Sequence, residues 1–73
     1  MRPKSSRSIQ VERLARRLGF VFVRQTGSHR IYQRSDGKTV SIPSHSGDLA
    51  PGTLRSIIVH GFCITVDEFN KMV

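Results

Sequence analysis

The dipeptide Asp36-Gly37 limits the fold of this chain more than any other feature of its sequence. It lies between two short segments that are rich in β-branched and aromatic residues, residues 29–34 and 38–42. An Asp-Gly pair in this setting favours a two-residue turn, because both central positions of that turn need a positive φ angle. The sequence therefore predicts an antiparallel β-hairpin in the middle of the chain.

A two-residue turn also predicts how the two strands pair. It sets Ile31 opposite Ile42 and His29 opposite Ser44, and side chains that lie opposite each other share a face of the sheet. The predicted core face holds Ile31, Val40 and Ile42, and the predicted outer face holds Arg30, Tyr32, Arg34, Thr39 and Ser41. His29 is expected on the core side, at the open end of the hairpin and next to Ser44 and His45.

Turn and helix signals predict the other elements. Residues 20–25 are expected to form the first strand, with Gly27-Ser28 as the turn into the second. The sequence does not decide whether Phe22 or Val23 faces the core. Apolar side chains at helical spacing predict a first helix that is capped by Ser6 or Ser8 and ends at Gly19. A second helix is expected from about Pro51 to Gly61, and the Thr65–Glu68 capping box predicts a short third helix to about Met72.

This order predicts an α+β sandwich in which helices cover one face of a three-stranded antiparallel sheet, the architecture of double-stranded-RNA-binding domains. Seventy-three residues suffice for one domain, and we expect a basic flexible arm at 1–7 and a single domain at 8–73. Cys63 is the only cysteine, and it is expected to be a small buried residue in a reducing compartment. No stretch approaches the length of a transmembrane helix, so a cytoplasmic protein without a membrane partner is expected.

The charge points to an anionic partner. The chain has 12 Lys and Arg against 5 Asp and Glu, a formal net charge of +7, which favours a polyanion or an acidic protein. Two-metal nuclease chemistry needs clustered carboxylates, and the five acids are scattered. A zinc site built on His60 and Cys63 would lack a second close ligand pair. We therefore expect no metal and no other cofactor.

Cleavage of RNA without a metal has simpler requirements. The protein must supply a group that moves protons near neutral pH and cations that stabilise the charge on phosphorus. His29 meets the first requirement, with Arg24, Arg30 and Lys38 as the cations. Ser28 could donate a hydrogen bond or complete the turn. The alternative for His29 is a strand-end histidine bonded to the backbone.

Several motifs together resemble the HicA toxins of bacterial and archaeal toxin–antitoxin pairs. They are Gly19-Phe20, Arg24-Gln25-x-Gly27-Ser28-His29, Ile42-Pro43-x-His45, Gly52-Thr53-Leu54-Arg55-x-Ile57 and Glu68-Phe69. The resemblance implies the double-stranded-RNA-binding-like fold, ribosome-independent cleavage of mRNA, and a cognate HicB antitoxin that covers the active site. It places the essential histidine at His29 and, more loosely, phosphate contacts at Arg24 and Lys38.

The hypothesis is a toxin that acts as an endoribonuclease, with His29 as its single catalytic residue. The predicted RNA-binding residues are Arg24, Gly27, Ser28, Arg30 and Lys38. His45 or a water molecule would supply the second proton transfer. The alternatives are a non-catalytic RNA-binding module and an adaptor whose basic face meets an acidic protein.

Overall fold

A computed structural model describes residues 1–44 and 46–73 of the chain. Its first half contains helix α1 (Ser8–Arg17) and strands β1 (Val21–Thr26), β2 (His29–Gln33) and β3 (Thr39–Pro43). Helix α2 (Pro51–Ser56) continues directly into a π-helical turn (Ile57–Gly61), and helix α3 (Val66–Met72) follows. The predicted elements are therefore present in the predicted order.

The three strands form one antiparallel sheet in the order β1-β2-β3. The helices lie on one side of it, and the core fills the space between. Apolar side chains of α1, the sheet and the C-terminal helices meet there: Val11, Leu14, Ala15, Phe20, Tyr32, Val40, Ile42, Leu54, Ile57, Ile58, Phe62 and Phe69. The prediction of an α+β fold with a three-stranded antiparallel sheet is confirmed.

The predicted register of the β2–β3 hairpin is wrong by one residue. In the structure His29 lies opposite Pro43 and Tyr32 lies opposite Val40. The reason is the turn, which has three residues instead of two. The Gly37 N–H donates to the Arg34 carbonyl and closes a tight turn, and Arg34 pairs with Lys38. Gly37, at φ 90°, is therefore the third residue of the loop between the two strands.

The shift exchanges the faces predicted for the side chains of β2, while the faces predicted for β3 are confirmed. Tyr32, expected on the outer face, is fully buried among the core residues, and Arg30 lies on the same side of the sheet. Ile31, expected in the core, is half-buried on the opposite side. His29 also lies on that opposite side, and not on the core side. A slip of one residue has this effect because side chains alternate between the faces of a strand.

Neither predicted serine caps α1. Arg7 is the N-cap residue, and the Gln10 Oε1 atom accepts a hydrogen bond from the Arg7 backbone N–H at 2.8 Å. Ser8 lies inside the first turn, where its hydroxyl donates to the Pro43 carbonyl at 2.5 Å. The serine therefore fastens the start of the helix to the end of β3 instead of completing the helix itself.

Residues 1–7, predicted as a flexible arm, contact the rest of the domain at several points. The side chain of Asn70 accepts from the Lys4 backbone N–H at 2.8 Å and donates to the Arg2 carbonyl at 3.0 Å. Ser6 is fully buried, and its carbonyl accepts from the Leu49 N–H at 2.9 Å. These contacts hold the segment against α3 and the loop before α2. The mobility of the segment stays a prediction.

Cys63 is exposed, which corrects the expectation of a buried thiol. It follows the π-helical turn with a left-handed backbone, at φ 57°. Phe62, directly before it, takes the place in the core. The left-handed conformation at Cys63 thus places the thiol outside the core.

Gly61 lets the π-helical turn approach β3 closely. A Cβ atom built at this glycine would lie 2.6 Å from the Val40 Cγ2 atom. This distance is shorter than any ordinary van der Waals contact. The absence of a side chain at Gly61 is therefore what lets the turn lie directly on the strand.

Replacing Gly61 with alanine should destabilise the domain. The added methyl group must displace Val40 or separate the turn from β3, and overpacking of this kind costs about 1–3 kcal/mol. The matched control is Gly52→Ala in α2, where the new Cβ would meet no atom within 4 Å and better helix propensity should stabilise slightly. Chemical denaturation measures both, and equal stability of the two variants would contradict the packing argument.

Candidate active site on the open face of the sheet

The helices cover one side of the sheet and leave the other side exposed. This second side is called the open face, and side-chain alternation assigns to it every other residue of each strand. It consists of Val21, Arg24, Thr26, His29, Ile31, Gln33, Thr39, Ser41 and Pro43. The open face therefore combines one histidine and one arginine with neutral side chains.

His29 lies at the start of β2, directly after the turn that joins β1 to β2. Thr26 and His29 are paired across this two-residue turn, and Gly27 occupies its first central position with φ 59°. The histidine side chain is exposed, and its Nδ1 atom lies 3.2 Å from the Ser41 hydroxyl on the neighbouring strand. The turn and the serine together fix where the imidazole lies.

The contact with Ser41 suits both protonation states of His29. An Nδ1–H group donates to the hydroxyl oxygen and leaves the Nε2 lone pair open to take a proton. After Nε2 takes a proton, the imidazolium keeps its Nδ1–H donation to the hydroxyl and has a proton on Nε2 to give away. The arrangement can therefore hold the ring while Nε2, the far nitrogen, exchanges a proton with a ligand.

Arg24 shares the open face with His29. It is paired with Ile31, two positions along the sheet from the Thr26–His29 pair, which corresponds to roughly 7 Å of strand. Its side chain is exposed, and no ion pair joins it to a described residue. The guanidinium is therefore available to an anion bound next to His29.

A β-bulge between Phe22 and Arg24 decides which residue of β1 faces the helices. Because of it, Phe22 and not Val23 lies opposite Tyr32, and the two rings meet edge to face with centroids 5.8 Å apart. The bulge lies beyond Arg24 as seen from the turn, so Arg24 stays in register with β2. This answers the question that the sequence left open for the first strand.

Arg30 lies on the side of the sheet opposite His29. Its Nε atom donates to the Glu12 carboxylate at 2.6 Å, and one terminal nitrogen donates to the Gln25 Oε1 atom at 3.1 Å. The guanidinium also lies 4.6 Å from the centre of the Phe22 ring. These contacts tie Arg30 to α1 and β1, and its predicted role in binding RNA stays a prediction.

The other predicted site residues are distributed along the hairpin. Lys38 lies opposite Arg34, directly before the first residue of β3. This pair is five positions along the hairpin from His29, or roughly 16 Å of strand. The Ser28 carbonyl accepts from the Ser44 N–H, so that the turn at Gly27-Ser28 is joined to the end of β3. His45, the predicted auxiliary residue, lies outside the described residues.

Ser41 is the site residue that sequence reasoning missed. The predicted register put it on the same face as Arg30, which is the other side of the sheet from the predicted side of His29. A signal was present, since an Asp-Gly pair also fits a three-residue loop, and that loop brings Ser41 to the side of His29. The structure thus identifies Ser41 as a neighbour of His29.

Within residues 1–44 and 46–73, no three His, Cys, Asp or Glu side chains form a group that could hold a metal ion. None of the helices in the same residues has the length and apolar character that crossing a bilayer requires.

Comparison with known protein families gives a match. The protein-family model described as the HicA toxin of bacterial toxin–antitoxin matches residues 9–60, which is more than half of the chain. No curated protein matches the chain. The matched range contains all of α1 except its first residue, the whole sheet with His29, α2 and most of the π-helical turn.

The buried side of the sheet contains a polar network that makes the phenol of Tyr32 hard to ionise. The Tyr32 hydroxyl donates to the same Glu12 oxygen as Arg30, at 2.5 Å. Burial first, and then the hydrogen bond to Glu12, raise the pKa of Tyr32 above its ordinary value. Tyr32 is the only tyrosine and the chain has no tryptophan, so its ionisation can be followed by absorbance.

The tyrosinate absorbance of the folded protein should therefore appear only above about pH 10, the ordinary pKa of tyrosine. A group whose pKa is raised by folding stabilises the folded state, and this stabilisation is complete at a pH below the pKa of the unfolded state. That contribution is lost as the pH rises through the folded-state pKa. The free energy of unfolding should thus fall above pH 10, and less steeply in Tyr32→Phe. A midpoint at or below pH 10 in the folded protein would contradict this.

Proposed function

This chain belongs to the HicA family of toxins of bacterial toxin–antitoxin systems, and we propose that it is an endoribonuclease with His29 as its single catalytic residue. Its substrate would be mRNA, cleaved without the ribosome and without a metal ion. The observation that carries the proposal is the position of His29, which is exposed on the open face and fixed by Ser41 at 3.2 Å. Arg24 on the same face supports it.

The proposed reaction begins at the 2′-hydroxyl of the RNA. Nε2 of His29 takes the proton of this hydroxyl while Nδ1–H donates to Ser41, and the 2′-oxygen forms a bond to the adjacent phosphorus. The bond between phosphorus and the 5′-oxygen of the next nucleotide then breaks. Water or His45 protonates that oxygen, and the products are a 2′,3′-cyclic phosphate and a 5′-hydroxyl.

Arg24 has the proposed task of stabilising the phosphorane. The attack adds negative charge to the phosphoryl oxygens, and a guanidinium binds two such oxygens with parallel hydrogen bonds. Its position next to His29, with no ion pair to a described residue, suits this task. Gly27 and Ser28 are proposed to contact the RNA backbone from the turn, and Lys38 is proposed to contact it further along the hairpin.

A HicA toxin implies a cognate antitoxin as its protein partner. We propose that this partner is of the HicB type and that it covers the open face, which would keep RNA away from His29. The net charge of +7 favours acidic groups on the antitoxin surface that meets it. The proposed location of both proteins is the cytoplasm.

Replacing His29 with alanine should abolish toxicity while the protein stays folded. Loss of a general base lowers the rate by roughly 10²- to 10⁴-fold. The histidine is exposed, so little packing is lost. The measurement is cleavage of a labelled mRNA by purified protein in the presence of a chelator, together with growth of bacteria that express each variant.

Gln33→Ala is the matched control, because Gln33 is exposed on the same face of the same strand. It should cleave RNA at the rate of the unchanged protein. If the folded His29→Ala protein still degrades mRNA and arrests growth as the original does, the catalytic assignment is wrong. RNA binding without cleavage by the unchanged protein would show a non-catalytic RNA-binding module instead.

A further inference from the structure

A groove runs along the edge of β3, where α2 and the π-helical turn pack against the strand. It consists of two adjoining cavities of about 250 and 270 Å³ that share Ser56 and His60. Thr39 and Ser41 line the first cavity from β3, and Arg55 lines the second from α2. Five of the ten residues that line the two cavities are polar, whereas the core beneath is apolar.

Ser41 joins this groove to the candidate active site. Its hydroxyl lies 3.2 Å from the Nδ1 atom of His29, and the same residue lines the first cavity. A chain-like ligand bound at His29 can therefore continue over the edge of β3 into the groove. A flat sheet offers no comparable concave surface to such a ligand.

The position of His60 depends on two unusual features of the backbone. His60 lies in the π-helical turn Ile57–Gly61, a rare conformation that is frequent at functional sites. The next residue, Gly61, lies so close to β3 that a Cβ atom there would be 2.6 Å from Val40. The two features hold the exposed imidazole of His60 next to the strand that contains Ser41.

The donors in the groove suit a nucleic-acid backbone. Arg55 has five N–H groups, of which one donates to the Met1 carbonyl at 3.4 Å, and the others can bind phosphate oxygens. The Ser56 hydroxyl and the His60 imidazole can hydrogen-bond to phosphate or to the 2′-hydroxyl of a ribose. No Asp or Glu lines either cavity.

We propose that this groove is a binding subsite for the RNA strand, in which Arg55 and His60 bind the nucleotides next to the cleaved bond. The inference rests on the proposed function, because it takes the bond at His29 to be the one that is cleaved. It adds a second element to the site, so that β2 supplies the base while α2 and the π-helical turn bind the substrate.

Two substitutions test the groove, Arg55→Ala and His60→Ala, each made in the His29→Ala protein and in the otherwise unchanged protein. In the first background, binding of a single-stranded RNA oligonucleotide is measured by fluorescence anisotropy. Loss of the charged hydrogen bonds of Arg55 should raise Kd roughly tenfold, and loss of His60 should raise it several-fold. In the second background, KM should rise by similar factors while kcat changes little.

Arg13→Ala is the matched control, since it removes the same charge from an exposed helical position that lines neither cavity of the groove. It should raise Kd much less than Arg55→Ala. Equal effects of Arg13→Ala and Arg55→Ala would overturn the subsite, because they would show only the general attraction of a basic protein for RNA.

The groove and the catalytic assignment fail separately. If His29→Ala stops cleavage but the Arg55 and His60 variants bind and cleave RNA normally, the groove inference is wrong and the proposed function stands. If cleavage persists in His29→Ala, the proposed function is wrong whatever the groove binds. Loss of binding to the cognate antitoxin, with RNA binding unchanged, would assign the groove to the antitoxin instead and overturn the inference.

Discussion

The turn between β2 and β3 determines which side of the sheet each side chain of this hairpin takes. Gly37 supplies the positive φ of 90° that the three-residue loop needs. The Asp36 carboxylate accepts hydrogen bonds from the Arg34 side chain and the Lys38 N–H, and these contacts lower the pKa of Asp36. With Val40 and Ile42 kept in the core, a loop of two residues would turn His29 toward the helices and Tyr32 toward solvent. The exposure of the candidate base thus depends on a turn at the other end of the hairpin.

The same alternation separates two kinds of positive charge. Arg30 points toward the helices, where Glu12, itself buried, accepts from both Arg30 and the Tyr32 hydroxyl. A buried carboxylate with two donors fixes α1 on the sheet, and removing it would leave both donors unsatisfied. Arg24 points the other way and has no ion pair with a described residue. Arg30 therefore stabilises the fold, while Arg24 is available to a ligand. The sequence alone does not distinguish them, because both are arginines that flank the Gly-Ser-His turn.

Local signals were sufficient to predict the elements and their order but not the register. The helical spacing of Val11 and Leu14, the Pro51 helix start and the Thr65 capping box are each readable within a few residues, and all are present in the structure. Asp36-Gly37 fits both a two-residue and a three-residue loop. The choice between them agrees with the burial of Tyr32 against Glu12, which is 20 residues away in the sequence. Because His29 changes faces with this choice while Ser41 keeps its predicted face, the contact between them could not be predicted locally.

An exposed histidine on a flat sheet can move a proton, but it cannot by itself align a flexible strand of RNA. Rate enhancement depends on holding the 2′-hydroxyl and the phosphorus in line, and a misplacement of about 1 Å can cost about a hundredfold in rate. Concave surface next to His29 begins at Ser41 and continues to His60. The contact of Gly61 with Val40 sets the distance between β3, which contains Ser41, and the π-helical turn, which contains His60. Packing under β3 should therefore influence the proposed catalysis as well as stability, because it sets where the proposed RNA substrate would lie relative to His29.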